Sequence, residues 1–338
     1  MSESKSFISG CKGLTLTTDE KAFFADERPW GFILFGRNIG EANQISDLVA
    51  SLRDSIGNPN APVLIDQEGG RVQRIRPPIV SAYPNGAAIG AVYAADAEKG
   101  LRAAWLMSRL HAFDLTRFGI SIDCLPVLDV LTEGTSEAIG NRAYGRDPLA
   151  VAALGAAAAQ GLKAGGMLPV MKHMPGHGRA VVDSHHKLPV VEASFEELAV
   201  SDFVPFTAMK DEVMGMSAHI VFTAIDPDRP ATTSPVVVEQ VIRGHMGFDG
   251  LLMSDDVSMN ALAGDMTQRA RNIMDAGLDL VLHCHGIMDE MIAVAGVVPE
   301  LSGDRLRRAE RAMAAFTPAD DADEMALRAE FAEIFASA

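Results

Sequence analysis

The sequence predicts an α/β fold, a single (β/α)8 barrel of the TIM type, and three observations carry that expectation. Eight short apolar runs recur along the 338 residues, segments of helical character separate most of them, and no Gly-x-Gly-x-x-Gly follows the first runs. Strand and helix repeated about eight times means parallel strands with helical crossovers, and a closed barrel is the economical solution. The rival, an open doubly wound sheet for a dinucleotide, lacks its glycine-rich turn.

The strands are expected at Ser6 to Gly10, Gly31 to Phe35, Pro62 to Gln67, Ser121 to Val127, Leu168 to His173, Gly215 to His219, Leu251 to Asp255 and Leu278 to His283. They read as nearly continuous apolar runs because a parallel strand in such a fold is covered on both faces. Helices are expected at Gln44 to Ile56, Asp96 to Phe118, Ala150 to Ala164, Phe195 to Lys210, Ser234 to Gly244 and Met266 to Asp275. Ser194 followed by Glu197 is a capping box, and Gly57, Gly119 and Gly165 stand where helices should stop. From Thr317 onward, Asp and Glu interleave with Ala, Leu and Phe, which predicts a terminal amphipathic helix. One catalytic domain over residues 1–338, with a helical tail from about residue 300, is the expected organisation.

Composition sets the function classes. Hydrophobic residues make up 48% of the chain, enough for a large core and incompatible with disorder. The 29 Lys and Arg against 45 Asp and Glu leave a net charge of −16. That balance disfavours nucleic acid and anionic membranes, which need clustered basic residues. It says nothing against a small ligand held by a few local arginines. Cys11, Cys124 and Cys284 are odd in number and far apart, so they suggest neither a disulfide framework nor a thiolate metal site. MSESKSFISG carries no basic segment followed by an apolar run, and the longest apolar stretch, Ala150 to Leu162, is too short and too rich in Ala and Gly to span a bilayer. A cytoplasmic protein is expected.

Barrel enzymes collect their reacting groups at the C-terminal ends of the strands. Those ends carry Asp66, Gln67 and Glu68; Asp129; Lys172 and His173; His219; Asp255 and Asp256; His283 and His285. In Met171 to Pro189, Lys172 and His173 should point into the barrel mouth, and Pro175, Gly176 and Gly178 force an irregular loop. Asp183 lies two positions before His185 in that loop. A carboxylate so placed can accept from one ring nitrogen and leave the other free for proton transfer. Asp255 directly follows an apolar run and should face the mouth as a nucleophile or charge stabiliser, with Asp256 as a helix cap or supporting group. Asp66 with Arg71, Arg74 and Arg76, and Arg142 in GNRAYG, suit recognition of hydroxyls and other oxygens. His173 and His177 are spaced like zinc ligands on a helix, but Pro175 and Gly176 argue against that helix.

Taken together, four segments resemble the single-domain β-N-acetylglucosaminidases of glycoside hydrolase family 3. They are DQEGGRVQR from Asp66, KHMPGHG from Lys172, DSH from Asp183 and SDDVSM from Ser254, in the family's order, with the resemblance running from about Phe35 to His285. The resemblance implies removal of a non-reducing terminal N-acetylglucosamine from peptidoglycan fragments, with retention of configuration. It implies that Asp255 is the nucleophile and that His185, paired with Asp183, is the general acid/base. Asp66, Arg74, Arg142, Lys172 and His173 match positions that hold the sugar. Neither a metal nor an organic cofactor has a role, and the partner is a small carbohydrate. The common retaining pair is two carboxylates about 5–5.5 Å apart, so a histidine acid departs from it. An imidazole of pKa about 6.5 can nonetheless give and take a proton near neutrality.

Departures from the family pattern are Met174, Val257, Ala143-Tyr144 and the absence of an acidic group in Cys11-Lys12-Gly13. Two other readings remain at this stage. One is a β-glucosidase or xylosidase on the same barrel; the other is a metal-dependent hydrolase using His173, His177, His283 and His285.

Overall fold

The computed structural model describes residues 4–182 and 188–336. Its parallel strands are β1 (Lys5–Ser9), β2 (Pro29–Leu34), β3 (Val63–Ile65), β4 (Ile122–Asp123), β5 in two pieces (Leu168–Pro169 and Met171–Met174), β6 (Met214–Ser217), β7 (Leu251–Asp256) and β8 (Leu280–His283). In the sheet the order runs from Leu168–Pro169 through β4, β3, β2, β1, β8, β7 and β6 to Met171–Met174. The two ends are halves of one run, parted only by Val170, whose N–H donates to the carbonyls of Asp123 and Leu125. The sheet therefore closes on itself as the expected (β/α)8 barrel.

Alternation along the strands builds two cores. Ile8, Ile33, Leu64, Ile122, Leu168, Val170, Met214, Met216, Leu251, Met253, Leu280 and Leu282 fill the barrel interior. Phe7, Phe32, Leu34, Val63, Ile65, Leu252 and Val281, one position away, face the surrounding helices. A side-chain period of two produces this split, and a slip of one residue would exchange the two sets.

The helices are α1 (Thr18–Glu27), α2 (Ala42–Ser55), α3 (Gly86–Ala95), α4 (Ala97–Thr116), α5 (Pro148–Ala164), α6 (Phe195–Ala199), α7 (Val204–Ala208), α8 (Met266–Asp275), α9 (Met288–Ala295), α10 (Gly303–Ala314) and α11 (Glu324–Ala336). A π-helix covers Val237–His245. α2 buries Ile45, Leu48, Val49 and Leu52, the stripe a 3.6-residue period demands. α5 opens with Pro148 in its first turn and the Asp147 side chain accepting from Leu149 N–H.

Three expectations need correction. The helix expected from Phe195 to Lys210 is two short helices: α6 does start on the Ser194–Glu197 capping box, but Asp202, buried between them, takes Arg179, and Pro205 begins a new turn. The strand expected from Ser121 to Val127 pairs as a regular ladder only at Ile122–Asp123, because Pro126 has no N–H to donate. In place of the α-helix expected from Ser234 to Gly244, a π-helix covers Val237–His245.

α10 sends Leu306, Ala309 and Ala312 into the interior core and so closes one end of the barrel. α11, within the expected tail, packs Leu327, Phe331 and Phe335 on the outer core, and Arg102 grips Glu330 with two hydrogen bonds of 2.7 Å. No helix among the described residues is long and apolar enough to cross a membrane.

Candidate active site

Polar groups follow directly on the inward-facing apolar rows at the open end of the barrel. Asp66 has the parity of Leu64, Lys172 that of Val170, and Asp255 that of Met253. All three line one cavity of about 430 Å³, together with Arg37, Arg71, Arg74, Arg142, His173, His177, Asp256 and His285. Asp66, Arg74, Arg142, Lys172, His173 and Asp255 therefore meet in one place, whereas Arg76, Asp129, His219 and His283 stand outside the lining. Asp183 and His185 lie outside the described residues.

The cavity floor is an interlocked set of charges. Lys172 Nζ donates to Asp66 Oδ1 at 2.8 Å and lies 2.6 Å from Glu68 Oε1. Arg74 Nη2 donates to Asp66 Oδ2 at 2.8 Å. Arg142 grips Glu68 through Nε and Nη2, both at 2.8 Å, a fork that only a guanidinium supplies. Burial would raise the pKa of Asp66, but Lys172 and Arg74 outweigh it and hold the carboxyl far below its usual range. Burial likewise opposes ionisation of Glu68, and Arg142 and Lys172 bring it down to about 2. Lys172 is pulled toward neutrality by burial and, more strongly, toward its charged form by Asp66 and Glu68. Three cations and two carboxylates thus stay ionised, presenting fixed donors and acceptors to a ligand.

Glu68, a strand-end residue that the resemblance does not place among the sugar contacts, belongs to this floor through Arg142 and Lys172. Its neighbours Gly69 and Gly70 make the turn of a small hairpin between Gln67–Gly69 and Val72–Gln73. Gly69 has φ +88°, and a Cβ there would lie 2.1 Å from the Pro84 carbonyl oxygen. Only glycine fits, and the turn returns the chain so that Arg74 meets Asp66.

On the β5 side, the Lys172–His173 and Met174–Pro175 peptides are cis. His173 places Nδ1 2.7 Å from Asp129 Oδ2, and Nε2 3.4 Å from Arg142 Nη2. A proton on Nδ1 for Asp129 leaves Nε2 as an acceptor, so the buried carboxylate sets the tautomer. Asp129 also accepts the His177 backbone N–H at 2.7 Å. Burial raises Asp129, and the His173 imidazole outweighs this to bring it to about 2. His177, driven down by burial, falls to about 4.

Asp255 and Asp256 both line the cavity, where the register of β7 against β8 shifts between Met253 and Asp256, and they differ in their partners. Asp255 faces the cavity and its Oδ1 accepts the Asp256 N–H at 2.8 Å. Asp256 Oδ1 takes the N–H and hydroxyl of Ser258 and the Cys284 N–H. It supports the strand end and a turn; it caps no helix, since α8 begins only at Met266. His219, buried below, bonds the Asp256 carbonyl through Nε2 at 2.9 Å and Thr232 through Nδ1 at 2.9 Å, and burial lowers its pKa.

The histidines of the metal-dependent reading fall into two pairs with other engagements. His173 is held by Asp129, and His283 Nε2 lies 2.9 Å from Glu290 Oε2. Among the described residues no three His, Cys, Asp or Glu side chains are grouped so that they could hold a metal ion. Cys11, expected to leave the first loop without an acidic contact, has its carbonyl bonded by Arg37 and stands outside the cavity lining.

Compared with known proteins, residues 12–313 match the family model described as the glycosyl hydrolase family 3 N terminal domain. The chain belongs to glycosyl hydrolase family 3. The match is wider than the Phe35 to His285 span over which the motifs run. Among curated relatives of this family 3 glycosidase is a beta-hexosaminidase of Chromobacterium violaceum, 36% identical over 324 residues, covering 95% of this chain and 89% of that protein. Among solved structures, NagZ from Neisseria gonorrhoeae in complex with N-trifluoroacetyl-D-glucosamine superposes with a TM-score of 0.85 at 31% identity, covering 99% of this chain and 97% of that one. A family 3 beta-N-acetylglucosaminidase from Paenibacillus gives 0.84 at 30% identity, covering 99% of this chain and 63% of that longer one. The expected enzyme class, a glycoside hydrolase of the β-N-acetylhexosaminidase kind, is the class of these relatives.

Proposed function

We propose that this family 3 hydrolase is a retaining exo-β-N-acetylglucosaminidase that removes a non-reducing terminal N-acetylglucosamine from peptidoglycan fragments. The observation that carries the reading is the position of Asp255: just beyond the inward-facing Leu251 and Met253, it lines the cavity together with Asp66, Arg74, Arg142 and Lys172. The names of the relatives, and the glucosamine derivative bound by the gonococcal protein, support the sugar. Lys172, Arg74 and Arg142 donate to sugar oxygens, Asp66 accepts from hydroxyls, and His173 offers a ring edge oriented by Asp129. The whole chain acts as one catalytic barrel.

In the proposed cycle His185 protonates the departing glycosidic oxygen while an Asp255 carboxylate oxygen attacks the anomeric carbon. Asp183 stabilises the imidazolium. His185 then removes a proton from water, which displaces the sugar from Asp255 and restores both groups. Two inversions at one carbon give retention. The three buried cysteines outside any disulfide, Cys11, Cys124 and Cys284, suit a reducing compartment, and cell fractionation checks a cytoplasmic location.

Hydrolysis of 4-nitrophenyl N-acetyl-β-glucosaminide is expected to exceed that of the glucoside, and preference for the glucoside would refute the sugar assignment. A 5-fluoro glycosyl fluoride should label Asp255 in mass spectra, and Asp255→Ala should lower kcat by about 10⁴-fold or more. A label on Asp256 would reassign the nucleophile. His185→Ala should cost least on substrates with good leaving groups, which need little protonation.

A further inference from the structure

Arg328 of the tail helix α11 has no part in the proposed cycle, yet it reaches inward from the surface to a buried cluster. Its Nη2 donates to Asp114 Oδ1 at 2.5 Å and its Nη1 to the Tyr83 hydroxyl at 3.1 Å. The Tyr83 hydroxyl in turn donates to Asp114 Oδ2. Glu324, one turn earlier on α11, aligns the guanidinium by accepting from Nε at 3.0 Å and Nη2 at 2.8 Å. The Asp114 side chain is only 2% exposed, so a carboxylate that has given up water depends on these donors, with Arg117 farther off at 3.6 Å. None of Tyr83, Asp114 and Arg328 lines the cavity.

Two routes lead from this cluster to the residues of the charged floor. The first is backbone. The Tyr83 carbonyl accepts the Gly70 N–H at 2.9 Å, and the Tyr83 N–H donates to Gln73 Oε1 at 3.0 Å, so Tyr83 grips both the turn and the second strand of the hairpin between Asp66 and Arg74. Gln73 Nε2 returns to the same segment by donating to Ser81 O at 2.7 Å. The second route runs through α4. His111, three positions before Asp114 and so on the same helix face, meets the Tyr83 ring edge to face at 4.5 Å. His111 Nδ1 lies 3.2 Å from Asp123 Oδ2, and Asp123 Oδ1 accepts the Gln67 N–H at 3.0 Å. Gln67 stands between Asp66 and Glu68, and its Oε1 accepts the Arg74 N–H at 3.0 Å. Tyr83, His111, Asp114, Asp123, Gln67 and Gln73 are all buried, so each link has protein rather than water as its partner.

We infer that Arg328 is a positioning residue for the sugar site: through Tyr83 and Asp114 it sets the hairpin that brings Asp66, Glu68 and Arg74 to the cavity. This rests on the reading of that floor as the surface that holds N-acetylglucosamine. Without the guanidinium, Asp114 and the Tyr83 hydroxyl lack a donor and turn toward water, and Tyr83 carries Gly70 and Gln73 with it. The floor grips the bound sugar as well as its transition state, so the loss falls on KM.

The test compares KM for 4-nitrophenyl N-acetyl-β-glucosaminide among variants of the full chain. Arg328→Met keeps the aliphatic stem, and its KM should rise about tenfold with kcat within about threefold of native. Tyr83→Phe keeps the ring against His111 and removes only the hydroxyl; its KM should rise about threefold, and the double variant should be no worse than Arg328→Met alone, since both break one chain of contacts. Arg328→Lys, which restores a donor without the fork, should recover part of the loss. Arg102→Gln is the control. It cuts the Glu330 contact, a hold on the same helix that does not run through Tyr83, so its KM should stay native whatever happens to Tm. KM does not depend on the fraction of active enzyme, so partial loss of fold does not imitate the result. Should Arg328→Met fail to fold, Tyr83→Phe decides alone. A native KM in Arg328→Met or Tyr83→Phe, or an equal rise in Arg102→Gln, overturns the inference and leaves the N-acetylglucosaminidase reading standing. No hydrolysis by the native enzyme overturns both.

Discussion

Two clusters of arginine and carboxylate stand at opposite ends of β7, built from the same chemistry and set in different surroundings. Before the strand, Asp249 meets Arg307 and Arg308 of α10 at 2.8 and 2.9 Å, with Arg311 beside them, while Asp279 meets Arg243 at 2.8 Å. Beyond its far end, Asp66 and Glu68 meet Lys172, Arg74 and Arg142. The Asp249 and Arg307 side chains are 46% and 48% exposed, but those of Glu68 and Lys172 only 3% and 2%. Arg307 and Arg308 hold the Asp249 carboxyl well below its usual range, yet water and salt screen such a pair, which contributes little. In the floor, burial makes each charge depend on its neighbours, so removing one strands the others. One cluster fastens a helix over the barrel end; the other fixes a binding surface.

Predictions follow the contrast from its strongest arm to its weakest. Glu68→Gln should destabilise the fold by about 3–5 kcal/mol, because Arg142 loses its fork and Lys172 one of two counter-charges. It should also raise KM, since the donors it orients would drift. A Tm and kcat/KM unchanged by this variant would show that the floor is no more coupled than the surface cluster.

Acid should come next in effect. His177 is neutral in the fold down to about pH 4 but takes a proton near 6.5 when unfolded. Its pKa is depressed by folding, so the stability it contributes is present above 6.5 and lost as pH falls toward 4. The loss should be about 1–3 kcal/mol. Glu68 and Asp129, each at about 2, withdraw support only at lower pH, between their unfolded values and about 2. A Tm flat between pH 6.5 and 4 would contradict the assignment, and His177→Gln should flatten the slope.

Smallest is Asp249→Asn. It should change stability by less than about 1 kcal/mol, leave kcat/KM alone, and lose even that effect in high salt. A larger cost would erase the distinction between the two ends.

Much of the barrel was readable because continuous apolar runs and the helical segments between them are written locally. All eight strand positions lie within or beside the expected runs, and Asp66, Lys172 and Asp255 stand out as polar residues closing apolar rows. What local pattern could not supply was pairing. Nothing in Leu168 to His173 says that its two halves bond different neighbours and so close the sheet. Asp129 is an unremarkable strand-end acid until the fold sets it against His173, far along the chain. Glu68 was legible in principle through its parity with Asp66, but its role depends on Arg142 arriving from another loop. The Thr17–Glu20 capping box that starts α1 is also plainly spelled, but the helix behind it buries only Glu20, Phe23 and Phe24 and so shows no strong apolar stripe.

The alternation inside the strands has a consequence for how such a sequence can change over generations. Deleting a single codon between Leu251 and Met253 would turn Met253 out toward the helices and bring Leu252 into the barrel interior in its place. The segment around Arg142 bears on no such count, since it is a single 3-10 turn set in a loop. Length variation in this lineage should therefore accumulate in the connections and be purged from the eight strands, leaving a ruler of fixed spacing beneath a variable rim.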